Sequence, residues 1–335
     1  MANQVLPWWA FALMGVGLVA FVAMLVVSVR RHHGIKRSLF ASPYMLWMII
    51  FTILPVILIG YYSLTDADGR LTLDNFHNFW DSNYITRQET IRDYGEEFVE
   101  ILELNQRGTG TVNALVFSLW MAFLCTAICL LLGYPAALFM ADRRMKRGAT
   151  VVILFIVPMW MNLVLRTIAW QALLEDTGVI NTVLQSVGLP PAKMIATRGA
   201  ILLGMVYNFV PFMIFPIYTS LNKMDPKLGE AAADLGCNSW QTLYKVTMPV
   251  SLPGVISGIT MVFMPSVTTF IIPQKLGGSK FMMFGNVIEE KFMNSGVPNS
   301  VNIGSALSLI MMILILISLS ILRKADPQGE GGGLI

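Results

Sequence analysis

The sequence predicts an all-α polytopic membrane protein. Of its 335 residues, 55% are hydrophobic and only 13% are charged, whereas an average soluble domain carries roughly 25% charged residues. The apolar residues occur in long blocks and do not alternate as in a half-buried strand. Several blocks reach the ~20 residues that a helix needs to cross the hydrocarbon core of a bilayer. This composition argues against a soluble enzyme.

Seven apolar blocks are the predicted spans. The first is followed by Arg30 and Arg31, whereas a signal peptide has its positive charge before the apolar core, so we expect a retained helix. Pro265 and Pro273 interrupt the sixth block, and other spans also contain prolines, which a membrane bundle tolerates when neighbouring groups satisfy the backbone. The blocks cover about residues 6–29, 44–63, 113–141, 151–171, 200–221, 253–272 and 302–322.

The charges of the connecting segments predict the orientation. Residues 30–37 contain four basic side chains and no acid, and residues 141–149 contain four basic side chains and Asp142. Because short loops rich in Lys and Arg remain in the cytoplasm, we expect both segments on that side. Residues 64–112, with ten acids and four basic residues, then lie outside. The N-terminus is predicted outside and the C-terminus inside.

We expect three parts along the chain. Residues 1–37 form an additional N-terminal helix with a basic linker, residues 38–325 form the transmembrane domain, and residues 326–335 form a flexible Gly-rich tail. Within the acidic insert at 64–112, the apolar residues of 86–104 have helical spacing and predict an amphipathic helix. That helix contacts a partner, attracts a cationic solute, or only caps the membrane domain.

Metal, nucleic-acid and catalytic chemistry are not indicated. The net charge of +3, without a basic stripe interleaved with aromatic residues, gives no reason to expect a nucleic-acid partner. Cys125 and Cys129 are four apart in an apolar run and are best interpreted as small packing residues. All three histidines lie outside the predicted spans, so neither a metal site nor the catalytic group of an intramembrane enzyme is expected.

The segment at about 222–252 is the most informative loop. Asp225 and Pro226 have the residue types of a helix N-cap and first helical position. Gly236 is placed to end this short helix as a glycine after the C-cap does. The alanines would let a partner approach the backbone closely, and Glu230 could pair with a basic group.

A second short helix is predicted in the same loop. It would begin at Asn238 or Ser239 and end at Met248, immediately before Pro249. The loop would then contain two short helices between the fifth and sixth spans.

The loop resembles the EAA loop of ATP-binding-cassette importer permeases. The run EAAADLG at 230–236 is followed after nine residues by VTMP at 246–249. The family pattern is E-A-A, three residues, Gly, nine residues and I-x-L-P, so only Val246 and Met248 depart from it, both by apolar exchange. The stretch LPGVISG at 252–258 is also similar. If the chain were only a structural scaffold in the membrane, nothing would account for this motif and its spacing.

This resemblance implies the transmembrane domain of a type I importer, with a six-helix core at about 44–322 and one extra N-terminal helix. It implies a heterodimer with a second permease, a cytosolic ATPase dimer and an extracytoplasmic binding protein, in the bacterial cytoplasmic membrane. The chain lacks the pattern G-x-x-x-x-G-K-[ST], so ATP and Mg²⁺ would bind the ATPase, and this chain would be neither an enzyme nor a cofactor protein. The implied coupling residues are Asp225, Glu230, Ala231, Ala232, Ala233, Gly236 and Pro249.

Further stretches are similar to the spermidine/putrescine permease group, and in particular to the first of its two permease subunits. They are LGYPA at 132–136, IVPMWMNLVLR at 156–166, VYNFVPFM at 206–213, LGG at 276–278 and GNVI at 285–288. The similarity does not cover residues 1–35 or 87–107. It implies a polyamine solute; the alternative is another small solute, such as an anion, iron or thiamine, because related permeases share this framework.

A flexible polycation would suit aromatic faces and few carboxylates. The candidate path residues are Tyr134, Trp160, Asn162, Arg166, Trp170, Tyr207, Asn208 and Phe212. The candidate cation-attracting acids outside the membrane are Glu175, Asp176, Glu289 and Glu290. The alternatives are lipid or interfacial packing for the aromatic residues and inter-helix hydrogen bonds for the asparagines. Arg166 contacts solute, extends to the interface, or pairs with an outer acid such as Glu175.

Overall fold

The computed structural model describes residues 47–80, 110–141, 157–278, 281–294 and 299–325. Helices dominate these ranges, and the described residues include one isolated antiparallel bridge, between Thr65 and Leu71. The first predicted span, the predicted helix at 86–104, nearly all basic residues used for the orientation, and the tail lie outside the described residues.

The helices are numbered in chain order. A π turn at Ile49–Ile53 leads into the first helix, and a 3₁₀ turn at Val157–Trp160 precedes the fourth. The helices are α1 (Leu54–Ser63), α2 (Asp74–Trp80), α3 (Thr111–Ala141), α4 (Leu163–Leu174), α5 (Val179–Ser186), α6 (Arg198–Lys223), α7 (Lys227–Asp234), α8 (Ser239–Thr268), α9 (Ile271–Leu276), α10 (Phe284–Met293) and α11 (Ser300–Ala325).

Within the described ranges, four helices are long and apolar enough to cross a membrane: α3, α6, α8 and α11. Helices α3, α6 and α11 confirm the third, fifth and seventh predicted spans as helices. A shorter apolar helix at Ile50–Ser63 covers most of the described part of the second predicted span. Helix α6 continues through Pro211 and Pro216, so neither proline ends it.

The fourth predicted span is not one continuous helix in its described part. Asn162 leaves the helical conformation, with φ −58° and ψ 133°, and its side-chain oxygen accepts a hydrogen bond from the Val164 N–H at 2.7 Å. Asn162 is therefore the N-cap of α4. The apolar block at 151–171 predicted an uninterrupted helix because periodicity does not register a capping residue within an apolar run.

The predicted end of the second loop helix at Met248 is wrong. Helix α8 begins at Ser239 and continues to Thr268, so the loop helix and the sixth predicted span form one helix. A π turn at Leu243–Thr247 lies just before Pro249, with Met248 between them. The changed hydrogen-bond spacing of a π turn accommodates a residue that has no N–H to donate, which explains why Pro249 does not end the helix.

Helices α3, α6 and α8 pack together as the centre of the bundle. Glycines allow α8 to lie close to α6: a Cβ atom at Gly254 would be 2.5 Å from the Cβ of Ser220, and one at Gly258 would be 2.8 Å from the sulfur of Met213. Helices α4 and α9 complete one apolar core, while α10 and α11 pack with α3 and α8 around a second.

Two asparagines attach the end of α1 to α2 and to α11: Asn75 lies on α2 and Asn302 on α11. The Asn75 and Asn302 side chains donate hydrogen bonds to the Thr65 carbonyl at 2.8 and 2.6 Å. Asn75 also donates to the Ser63 carbonyl at 3.1 Å, and Asn302 to the Tyr62 carbonyl at 3.2 Å. Carbonyls at a helix end lack partners within the helix, so these amides fix the path of the chain there.

Candidate functional site

The EAA loop at 222–252 contains a short helix, α7, that is capped at its N-terminus as predicted. The Asp225 carboxylate accepts a hydrogen bond from the Lys227 N–H at 3.0 Å. Pro226 already has helical backbone angles, φ −56° and ψ −30°. The carboxylate therefore satisfies a backbone donor that would otherwise lack a partner in the helix.

The end of α7 is fixed equally well. Gly236 has φ +80°, a left-handed conformation that favours glycine. Its N–H donates to the Ala233 carbonyl at 2.9 Å, and the Cys237 N–H donates to the Ala232 carbonyl at 3.0 Å. These two bonds are the pair of a Schellman motif, which confirms Gly236 as the predicted terminator of the helix.

The side chains of α7 divide between two faces. Glu230, Ala231 and Ala233 are exposed, whereas Ala232 is 5% exposed and packs toward its own chain. Leu235, the C-cap residue, is 85% exposed. The helix and its C-cap thus present two carboxylates, small side chains and two large apolar side chains, Leu228 and Leu235, to the surroundings. Such a surface can receive another protein without reorganising the helix.

The start of α8 adds two residues that the sequence interpretation did not select. Trp240 and Tyr244 are 79% and 74% exposed and, being four residues apart, lie on the same side of the helix. The start is fixed by a capping box between Asn238 and Gln241, with both hydrogen bonds below 3.0 Å. Pro249 is exposed farther along α8. The four-residue spacing of Trp240 and Tyr244 was the feature of the sequence that could have indicated this shared exposed side.

Arg166 is a buried cation in α4. It is 7% exposed, and its Nε has no hydrogen-bond partner among the described residues. The predicted alternative, pairing with Glu175, is not observed: Glu175 is the exposed C-cap of α4, and Arg166 forms no ion pair with an acid of the described residues. Arg166 instead lies near the Tyr207 side chain of α6.

Two further predicted path residues, Trp170 on α4 and Tyr207 on α6, are in contact, and Asn208 lies beside Tyr207 in the chain. The Trp170 and Tyr207 rings meet edge to face with their centroids 5.2 Å apart. Asn208 is fully buried; its amide donates to the Gly204 carbonyl at 2.8 Å, and its Oδ1 has no partner among the described residues. We call Arg166, Trp170 and Tyr207 the α4–α6 cluster; Asn208 forms no hydrogen bond with these side chains.

The other predicted path residues lie elsewhere. The Tyr134 hydroxyl is 2.9 Å from the Ser251 hydroxyl and joins α3 to α8 inside the bundle. Phe212 is half-buried and packs against the first core. Trp160 is 89% exposed, and Asn162 caps α4. The structure therefore brings together three of the eight candidates: Arg166, Trp170 and Tyr207.

The predicted outer acids belong to two separate elements. Glu175 and Asp176 are exposed directly after α4. Glu289 lies on α10 and accepts a 3.4 Å hydrogen bond from Gln274, while Glu290 is exposed. No hydrogen bond or ion pair joins the two pairs within the described residues, so they form two separate acidic pairs.

Cys125 and Cys129 pack within the first core, as predicted. Both are fully buried, and their sulfurs are 3.9 Å apart. The described residues contain no group of three or more His, Cys, Asp or Glu side chains arranged to hold a metal ion.

Comparison with known proteins identifies the class. Residues 2–328 match the family described as "Binding-protein-dependent transport system inner membrane component". The chain is 30% identical over 282 residues to the spermidine/putrescine transport system permease protein PotB of Haemophilus influenzae, covering 84% of this chain and 90% of that protein. It is 31% identical over 280 residues to PotB of Escherichia coli K12, covering 80% and 92%.

The fold is also found in a solved transporter. A crystal structure of a bacterial alginate ABC transporter, in complex with an alginate-bound periplasmic protein, contains a chain with a TM-score of 0.63 and 14% identity, covering 87% of this chain and 94% of that one. The chain belongs to the family of inner-membrane components of binding-protein-dependent transport systems. It is a multi-pass protein of the cytoplasmic membrane.

Proposed function

We propose that the chain is a permease subunit of an ATP-driven importer for the polyamines spermidine and putrescine. The observation that carries this proposal is the ~30% identity to permeases named for these solutes, extended over at least four fifths of the chain. The alternative solutes, such as an anion, iron or thiamine, would share the membrane framework, so the solute requires its own test.

Coupling to ATP would proceed through the EAA loop. Helix α7 is held by Asp225 at one end and Gly236 at the other, so a force on its exposed face is transmitted without unwinding it. A cytosolic ATPase dimer would receive Glu230 and Ala231 in a cleft and would bind the ATP and Mg²⁺. Because α8 runs without a break from the loop into the membrane, closure of the ATPase would move a whole span.

The remaining assembly follows from the charge distribution and the family. We propose seven spans, with the N-terminus outside and the C-terminus inside, which places the EAA loop in the cytoplasm. A second permease would complete the translocation path, and an extracytoplasmic binding protein would deliver the solute. The pair of permeases would alternate between inward-open and outward-open states around a site within the membrane.

The α4–α6 cluster would line part of the path. The Trp170 and Tyr207 rings can attract an ammonium group weakly. The positive charge of Arg166 opposes prolonged binding of the same cation. Such a site binds the polyamine weakly and releases it readily, which suits a permease whose selectivity is supplied by a separate binding protein.

The test is uptake by the complete importer in proteoliposomes, with ATP on the ATPase side and solute-loaded binding protein on the other. Labelled spermidine or putrescine is expected to accumulate only when ATP and binding protein are both present. An excess of unlabelled polyamine should abolish the signal, whereas thiamine or phosphate should not. Accumulation of another solute with neither polyamine transported would exclude the polyamine assignment.

A further inference from the structure

Arg198 lies against two aromatic rings at one end of the bundle. Its guanidinium carbon is 5.6 Å from the centroid of the Phe117 ring and 5.5 Å from that of Phe281. The two rings are stacked with centroids 6.2 Å apart. Both distances from the guanidinium are within the ~6 Å range of cation–π attraction. The ring pair therefore already accommodates a cation, supplied by the protein itself.

The ring pair is built into the fold. Phe117 is in the first turns of α3, and the next residue, Ser118, accepts a 2.7 Å hydrogen bond from the Phe284 N–H. This buried bond fixes the segment of Phe281 against α3. Both rings are half-buried and pack on the first core. Their positions consequently do not depend on Arg198.

Arg198 itself is held weakly. It is exposed, and it forms no ion pair with an acid of the described ranges. It is also the first residue of α6, whose N-cap is Thr197. A cation at a helix N-terminus is opposed by the helix dipole. The rings supply the favourable interaction of the guanidinium, and another cation could replace it there.

The location suits exchange with solute outside the membrane. Helix α6 runs from Arg198 to Lys223 and leads directly into Asp225 and the EAA loop. The ring pair is thus at the end of α6 opposite the EAA loop. In the proposed orientation, this end faces the binding protein that would release the solute.

We propose that Phe117 and Phe281 form a receiving site for an alkylammonium group, occupied by Arg198 at rest and by an amino group of the polyamine during transfer. This inference rests on the proposed function. Aromatic rings by themselves bind a cation weakly, so the group can move on into the path. The returning guanidinium would help to displace it, because like charges repel.

Transport kinetics of the reconstituted importer test the site. The double variant F117L/F281L keeps the apolar character of both positions and removes both rings. Each cation–π contact changes affinity about two- to fivefold. We therefore expect KM for spermidine to rise about fourfold or more, with kcat nearly unchanged. Arg198→Gln should lower KM, because it vacates the rings. Phe123→Leu, an exposed position on α3, is the matched control and should leave KM unchanged.

A binding measurement separates this inference from the proposed function. With 4-fluorophenylalanine at position 281 of the purified complex, putrescine should shift the ¹⁹F resonance of that ring. In the Arg198→Gln variant, a lower putrescine concentration should give the same shift. Unchanged KM in both variants, or a resonance that does not respond to putrescine, would overturn the site while polyamine uptake by the unmodified importer continued. Loss of that uptake itself would instead overturn the proposed function.

Discussion

The hydroxyls of Tyr134 and Ser251 lie 2.9 Å apart, and this hydrogen bond joins α3 to α8 between residues 117 positions apart. Both side chains are buried, at 8% and 1% exposure. Because Ser251 is near the start of the membrane part of α8, the contact connects the helix that enters the EAA loop to the centre of the bundle.

Tyr134→Phe should destabilise the permease modestly. The variant keeps the ring and removes the hydroxyl, so the loss should be about 0.5–1.5 kcal/mol, the usual net value of one hydrogen bond. Ser251→Ala is a less specific change, because that hydroxyl also lies 3.1 Å from the Met248 carbonyl. Unfolding of the purified complex in detergent measures the effect. Equal stability of Tyr134→Phe and the unmodified protein would contradict the assignment.

Gly254→Ala should separate α8 from α6. The added methyl would lie 2.5 Å from the Cβ of Ser220 and 2.8 Å from the Pro216 carbonyl oxygen, and overpacking of this kind costs about 1–3 kcal/mol. Thermal unfolding of the permease should shift downward. Gly60→Ala is the matched control, because no heavy atom lies within 4 Å of the new methyl there. If both variants lose the same stability, close packing at Gly254 is not the cause of the loss.

Gly236→Ala should impair coupling through strain at the end of α7. Gly236 has φ +80° with open space around it, so the cost is conformational, about 1–2 kcal/mol. Gly236→Asn should be milder, because asparagine tolerates this conformation better. The readout is ATP hydrolysis stimulated by solute-loaded binding protein. If alanine and asparagine reduce the stimulation equally, backbone strain is not the cause.

Arg166→Gln should lower both KM and kcat for spermidine. Removing the positive charge near Tyr207 leaves the Trp170–Tyr207 ring pair without a repelling neighbour, so a polyamine binds more tightly and leaves more slowly. Arg166→Lys keeps the charge and should remain near the unmodified values. Identical kinetics of the glutamine and lysine variants would show that the charge of Arg166 does not act on the solute.

Local signals in the sequence predicted much of the fold. Apolar block length predicted α3, α6 and α11, and the residue types at Asp225 and Gly236 predicted both ends of α7. These features depend on neighbours in the chain. The prediction failed at Asn162, which caps a helix inside an apolar block, and at Pro249, which a preceding π turn accommodates.

The site was less predictable, because its geometry is tertiary. Aromatic composition selected Trp170 and Tyr207, which do meet, but it also selected Tyr134, whose hydroxyl is used to join two helices. The placement of Arg198 on Phe117 and Phe281 brings together residues from three distant parts of the chain. No pattern of residue spacing along the sequence indicates a contact between residues so far apart.

The central claim is that the EAA loop couples ATP hydrolysis to polyamine import. Its most direct test is stimulated ATP hydrolysis and spermidine uptake, measured together in proteoliposomes containing Glu230→Lys. Glu230 is exposed on α7, so the variant should assemble in the membrane at normal levels and lose both activities. Asp68→Lys, the same charge change at an exposed turn, should retain both. A Glu230→Lys complex with full stimulation and full uptake would contradict the account.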